Sequence, residues 1–303
     1  MTRVPQIGWL ADGRRLHLQD GPIDLIVEVH GSEANRRAAY NAAARRFTGL
    51  LDELCDELSL LRQAADPARC QLQGAVARRM HAAVAPFASE LFITPMAAVA
   101  GAVAEEILGA MLQQARLQRA YVNNGGDIAL HLGAGEHFSV GLMDRPDRHG
   151  LLRTTKIVAD DPSRGIATSG CHGRSFSIGI ADAVTVLART GSQADAAATI
   201  IANAVDLPGH PAIVRCPAHD LQPDSDLGAR LVTRDVGELT EREIGDALEA
   251  GAACARKLLA AGLIDGAALR LHGETVVVSE RAIDALRSRT PAHRGAMESA
   301  MHV

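Results

Sequence analysis

Apolar and polar positions change period several times along the chain, and each change marks a predicted element. Residues 8–18 set an Asp12-Gly13 pair between short apolar stretches, which predicts a β-hairpin. Gly21-Pro22 punctuates the chain, and Ile23–Val29 reads as another strand. From Glu33 to Leu61, Ala, Leu and Phe recur among Arg and Glu at three- and four-residue spacing, which predicts one helix packed on that first sheet. Asp66-Pro67 interrupts, Val76–Ala85 is predicted helical, and Pro86 precedes the short apolar run Leu91-Phe92-Ile93. Thr94 and Pro95 read as cap and first turn of a long Ala-rich helix over Met96–Arg116 that carries the adjacent acids Glu105 and Glu106.

Arg119–Asn123 then reads as a strand that turns through Asn124-Gly125-Gly126-Asp127 and re-emerges as Ile128–Leu132. Phe138–Met143 is a further predicted strand and Arg145–Gly150 a polar loop. Gly165–Gly170 opens a second glycine-rich segment leading to the apolar run Ile178–Leu187, followed by a short Ala-rich helix at Gln193–Val205. Four prolines, at 208, 211, 217 and 223, make 206–230 a loop-rich connector; Thr240–Leu263 reads as an amphipathic helix. Leu269–Leu271 and Thr275–Val278, around His272-Gly273-Glu274, predict a terminal hairpin. The expected fold class is α+β: layered antiparallel sheets backed by the Glu33–Leu61 and Pro95–Arg116 helices, in one globule over residues 1–288 that could divide into two lobes. Residues 289–303 mix Pro, Gly, His and Met without pattern and are expected to be a poorly ordered tail.

Composition narrows the function classes. At 303 residues, 47% hydrophobic and 22% charged, the chain can bury a sizeable core, yet aromatics are only 3%, so that core must be aliphatic with closely approaching backbones. Lys and Arg total 31 against 36 Asp and Glu, a formal charge of -5 with no basic run, which argues against nucleic acid as a partner. The first residues lack the basic-then-apolar order of a secretion signal, and no uninterrupted apolar stretch of about 18 residues is present, so a cytoplasmic protein with no membrane partner is expected. Five scattered cysteines without a CxxC pair exclude a disulfide framework or zinc ribbon as the expectation. An Ala-rich, low-aromatic surface helix would also suit a homodimer.

Four stretches could carry chemistry. In Asn123-Asn124-Gly125-Gly126-Asp127, adjacent glycines let backbone N–H groups converge on an anion while Asp127 holds a hydroxyl or a metal-bound water; the competing reading is a hairpin turn. The run 167–175 gathers Thr168, Ser169, Gly170, Cys171, His172 and Arg174, suited to phosphate oxygens, against the reading of a polar surface loop. A Cys171 nucleophile with His172 as its base is weakened by adjacency, since sequence neighbours rarely face each other. Asp195 and Thr199, four apart on one helix face, offer oxygen ligands suited to Mg²⁺; Asp195 could instead be a helix cap. Asp182 lies in an otherwise apolar run, where a carboxylate needs a partner, as a metal ligand, a general base or a hydrogen-bonded strand end.

The order of these pieces over roughly residues 90–205 resembles the ApbE family of flavin transferases, through Ala97–Ile107, Asn123–Ile128, Ala167–Gly170 and Ala194–Thr199. The resemblance implies binding of FAD or FMN with Mg²⁺ and movement of an FMN moiety to a Thr hydroxyl of a partner protein. By position it implies Asp195, Thr199 and the Val99 carbonyl as metal ligands, Asn123, Asn124, Gly125, Gly126 and Asp127 at the nucleotide, and Thr168, Ser169 and Gly170 at its phosphates. Two features depart from the family. Its Ala-Lys-Gly lysine is Ala100 here, and its His-x-x-Asp-Pro-x-Thr-Gly segment has no counterpart, leaving Asp182 or His172 to stand in as catalytic groups. The Asp-Gly-Arg-Arg hairpin and Pro223–Gly228 are more similar to shorter ApbE-related proteins, for which no activity follows. The sequence therefore supports a flavin- or nucleotide-binding protein that transfers or hydrolyses its ligand, or a non-catalytic cofactor-binding or assembly protein that has lost transfer chemistry.

Overall fold

The computed structural model describes residues 4–145, 148–279 and 301–302. Strands β1 (Gln6–Trp9), β2 (Leu16–Asp20) and β3 (Ile23–His30) form an antiparallel meander. Its first turn is held by the Asp12 carboxylate, which accepts from the N–H groups of Arg14 and Arg15. Leu16, Leu18, Leu25 and Val27 point from this meander into the main core.

The single helix predicted over Glu33–Leu61 is three: α1 (Glu33–Phe47), α2 (Leu50–Asp56) and α3 (Leu58–Leu61). The break falls at Gly49, whose φ of 83° is left-handed and ends the run after Thr48. Leu50, Leu51, Leu54 and Leu61 stay buried across the break, so the apolar spacing survives while the axis does not. The Glu57 carboxylate then accepts from the N–H groups of Gln73 and Gly74, supplying the cap that Gly74 lacks for α4 (Ala75–Val84).

A 3₁₀ turn at Pro95–Ala98 leads into α5 (Val99–Gln114). Thr94 does not cap it as predicted; its hydroxyl donates to Asp226 instead. By length and composition Pro95–Gln114 could cross a membrane, yet half of it is buried inside the protein. Its acids are also paired internally: Glu106 with Arg46 and Arg79, and Glu105 with the Ser192 amide. These are the marks of a core helix.

Strands β4 (Arg119–Asn124), β5 (Asp127–Leu132), β6 (His137–Arg145), β7 (Arg148–Val158), β8 (Gly165–Ser169) and β9 (Ala183–Ala188) follow, then α6 (Gly191–Ala204). The segment predicted as a polar loop at Arg145–Gly150 is instead mostly the ends of the β6–β7 hairpin. The connector predicted over 206–230 contains β10 (Ile213–Pro217) and α7 (Ala218–Leu221), and β10 pairs with β11 (Leu231–Val236). Helix α8 (Glu241–Ala260) and the hairpin β12 (Gly266–Leu271)–β13 (Glu274–Ser279) complete the fold as expected. Of the predicted tail, Met301–His302 is described as β14, parallel to β6; its remaining residues lie outside the described ones.

Nine strands form one antiparallel sheet in the order β1-β2-β3-β4-β5-β8-β9-β12-β13. Alternation along the strands separates two cores. Ala120, Val122, Ala129, Ala167, Val184 and Val186 meet the helices on one face, whereas Tyr121, Ile128, Leu130 and Ile166 meet Phe138, Val140 and Ile157 of the β6–β7 hairpin on the other. The mixed helix and antiparallel-sheet class read from the sequence is thus the one observed.

Helix α8 begins with a reciprocal capping box, Thr240 accepting from the Glu243 amide and Glu243 from the Thr240 amide. Thr240→Ala is expected to lower unfolding free energy by about 1 kcal/mol, read from urea denaturation midpoints.

Candidate functional site

The chemistry-bearing residues gather at the end of the sheet where β4 turns into β5, β8 ends and β9 begins. The Asn124-Gly125-Gly126-Asp127 turn is a two-residue hairpin, with Asn124 opposite Asp127 and both glycines at positive φ. Asn123 Oδ1 accepts the Gly126 amide at 2.8 Å and locks the turn; Asn124 Nδ2 donates to the Ala100 carbonyl of α5 at 3.2 Å. Both asparagine side chains are therefore committed to the scaffold. A Cβ on Gly125 would stand 1.6 Å from a guanidinium nitrogen of Arg174, so that side chain lies directly on the turn, where a φ of 65° favours glycine.

Asp127 and Asp195 come together on the helix side of the sheet. Both are partly accessible yet sit in dense surroundings that oppose their ionisation. Asp195 is not the cap of its own helix; Thr190 is, accepting from the Gln193 amide. Instead, Asp195 reaches across to α5, where its carboxylate accepts the amides of Gly101, at 3.0 Å, and Ala100. It thus supplies, from another helix, the anion that the uncapped N-terminus of α5 lacks. Burial pushes Asp195 up to about 7 despite those amides. Asp127 is raised well above the usual carboxylate value, by burial first and the Asp195 charge second, while the Thr168 amide and Arg174 pull it down. That amide donates to Asp127 Oδ1 at 3.2 Å.

Other predicted residues divide between roles. The Thr168 hydroxyl bonds the Thr185 hydroxyl at 2.9 Å and so is occupied within the β8–β9 pair. Ser169 remains partly accessible, and Thr199 lies one helical turn beyond Asp195, also partly accessible. Val99 is the first residue of α5, just before the two amides that Asp195 holds.

A second cluster forms on the loop between β8 and β9. The Cys171 amide donates to the Ala181 carbonyl and pins the loop at its base, where a Cβ on Gly170 would meet the Asp182 carbonyl at 2.4 Å. Asp182 precedes β9 and its side chain is 9% exposed, so the strand begins only after it and not at Ile178, where the apolar run starts. Its Oδ1 lies 3.1 Å from His172 Nε2, and its Oδ2 accepts the His272 amide at 2.6 Å. Cys171 and His172, chain neighbours not expected to converge, do so around Asp182, all three donor atoms lying within 4.8 Å of one another. The cluster opens on a cavity of about 630 Å³ lined also by Thr233, Arg234, Asp235 and Arg270. None of these four is among the candidates read from the sequence, and the run Leu231-Val232-Thr233-Arg234-Asp235-Val236 gives no clean alternation of apolar and polar positions that would have marked β11.

Residues 7–277 match the profile of a family described as AbpE bacteria. A UPF0280 protein of Methanopyrus kandleri is 40% identical over 134 residues, covering 44% of this chain and 51% of that protein. Another, from Methanothrix thermoacetophila, is 41% identical over 125 residues, covering 39% and 49%. The chain thus spans about half the length of the curated relatives it matches. Among solved structures, a mutant of the flavin transferase ApbE from Vibrio cholerae superposes with a TM-score of 0.46 at 14% identity, over 91% of this chain and 97% of that one. The apo flavinyl transferase ApbE of Pseudomonas stutzeri gives a TM-score of 0.35 at 12% identity, over 91% and 94%.

Proposed function

This chain belongs to the family described as AbpE bacteria, and from that premise we propose that it binds a flavin or another phosphorylated nucleotide, with a divalent cation, at the pair Asp127 and Asp195. The observation that carries this reading is the pair itself: Asp195, held on the Gly101 amide, and Asp127, held on the Thr168 amide, are neighbouring carboxylates whose ionisation burial opposes, with the Asp195 charge adding to that cost at Asp127. A cation between them would relieve both effects. The donors that the family resemblance implies are hard oxygens, the Asp195 carboxylate, the Thr199 hydroxyl and the Val99 carbonyl, a set that would suit Mg²⁺ better than a softer metal. Bound there, Mg²⁺ would neutralise phosphate oxygens of the ligand. The Gly125-Gly126 turn, with Arg174 against it, and the Ser169-Gly170 strand end would face those phosphates. Asn123, Asn124 and Thr168, whose side chains are engaged within the protein, would contribute through the backbone and by holding the turn.

Titration calorimetry of the full chain with FAD, FMN and ADP, with and without Mg²⁺, tests the proposal. Heat that requires Mg²⁺ and disappears in Asp195→Asn is expected; no heat with any of the three sinks it. Alanine at position 100, where the ApbE family carries lysine, favours binding without FMN transfer. The His172–Asp182 contact favours a second reading, cleavage of the bound pyrophosphate with His172 as general base, for which AMP release from FAD is the assay.

A further inference from the structure

The second cluster has more than an acid–base pair needs. A base oriented by a carboxylate requires only His172 and Asp182, yet the Cys171 sulfur converges on the same point. The loop is built to hold that convergence. Its base is closed by the Cys171–Ala181 backbone bond, and Gly170 allows β8 to cross against the Asp182 carbonyl. Asp182 is clamped from the far side as well: its amide donates to the Arg270 carbonyl, and its Oδ2 accepts from the His272 amide at the left-handed β12–β13 turn. Outer hydrogen bonds of this kind orient ligands around a metal.

We propose that Cys171 Sγ, His172 Nε2 and Asp182 Oδ1 bind a zinc-class divalent cation, with its fourth position open to the adjoining cavity for an anionic group. A thiolate, an imidazole and a carboxylate form a mixed soft and borderline donor set, suited to Zn²⁺ or Co²⁺ and poorly suited to Mg²⁺. The site is thereby distinct in preference from the all-oxygen Asp195 site, and the inference does not rest on nucleotide binding there. Three protein ligands with an open position is the arrangement of zinc sites that bind a water or substrate. The cavity beyond is large enough for a small molecule, and Arg234 and Arg270 on its wall favour a phosphate or carboxylate. On binding, the thiol proton leaves to solvent and the imidazole proton moves to Nδ1, so the ion takes the place of the proton between His172 and Asp182.

The test is titration of the metal-free full chain with Co²⁺ alone. One equivalent should bind with a thiolate-to-cobalt charge-transfer band in the near ultraviolet, and any further equivalent taken up at the all-oxygen Asp195 site should add no such band. Cys171→Ser should abolish the band, and His172→Ala, at an exposed position with little to lose in folding, should weaken binding roughly tenfold or more. Cys55→Ser, an exposed cysteine elsewhere, should leave the band intact. Asp195→Asn should also retain it while losing Mg²⁺-dependent nucleotide heat, which separates failure of this proposal from failure of the Asp195 site. Inorganic phosphate should shift the visible cobalt bands through the open position. Absence of stoichiometric cobalt uptake, survival of the band in Cys171→Ser, or unchanged affinity in His172→Ala overturns the site; visible bands indifferent to phosphate overturn its open anionic position.

Discussion

Asp195→Asn is expected to make the metal-free protein more stable than wild type at about pH 8, an unusual outcome for replacing a residue that bonds two backbone amides. An acid whose folded pKa is raised binds its proton more tightly in the native state than in the unfolded one. Stability is therefore lost as pH rises from the ordinary value of 3.8 through about 7, and stays low above it. The shift corresponds to about 4 kcal/mol at most for Asp195. Removing the charge also lowers the cost of ionising Asp127, which is raised by its neighbour. The asparagine carbonyl still accepts the Gly101 amide, so the end of α5 keeps a partner. Urea denaturation without metal should show wild type losing stability from about pH 4 to pH 7 and the variant losing less. Mg²⁺ should stabilise wild type at the higher pH and leave the variant unchanged. A variant less stable than wild type at about pH 8 would mean that the ionised carboxylate at the N-terminus of α5 outweighs its burial cost, and the reading of the pair as a cation site would fall.

How much of this is legible in the sequence depends on whether the determining contact is local. The Asp-Gly and Gly-Gly turns, the helices at 75–84 and 241–260 and the final hairpin follow from turn chemistry, capping and period, all read within a few residues. The break at Gly49 is hidden because Leu50, Leu54 and Leu61 continue to face the core, so the apolar rhythm outlasts the helix axis. Prolines at 208–223 mask β10, because an edge strand of a two-stranded sheet tolerates a terminal proline such as Pro217.

The site residues divide in the same way. Asp127, Asp195 and Asp182 are identifiable as carboxylates in demanding surroundings. Their partners are not, since Asp195 meets an amide 94 residues away and Asp182 an amide 90 residues away. Asn124 and Thr168 look like ligand contacts because polar groups beside glycines look available. In the fold they satisfy the Ala100 carbonyl and the Thr185 hydroxyl, as buried polar groups must. Arg174, in the sequence only one of several polar groups of its loop, proves to be the side chain laid over the Gly125 turn.

Two glycines of α5 should respond in opposite directions to a larger side chain. A Cβ on Gly101 would lie 2.2 Å from the Gly191 carbonyl oxygen, 2.4 Å from its carbon and 2.7 Å from the Ser192 nitrogen, all backbone atoms of α6 that no rotamer change can move. Gly101→Val must separate the two helices. The separation would open the buried Ala102, Ala194 and Ala198 contacts and draw the Gly101 amide from Asp195. A loss of about 3 kcal/mol or more is expected, with Mg²⁺-dependent nucleotide binding lost in any protein that remains folded. At Gly109, further along the same helix, nothing lies within 4 Å of the position a methyl group would take, and the backbone is ordinary helix. Gly109→Ala should raise stability by about 0.5–1 kcal/mol through reduced unfolded-state entropy. Denaturation midpoints of the two variants measure the contrast. Equal small effects would show that α5 and α6 do not touch at Gly101, and without that contact Asp195 has no means of reaching the end of α5.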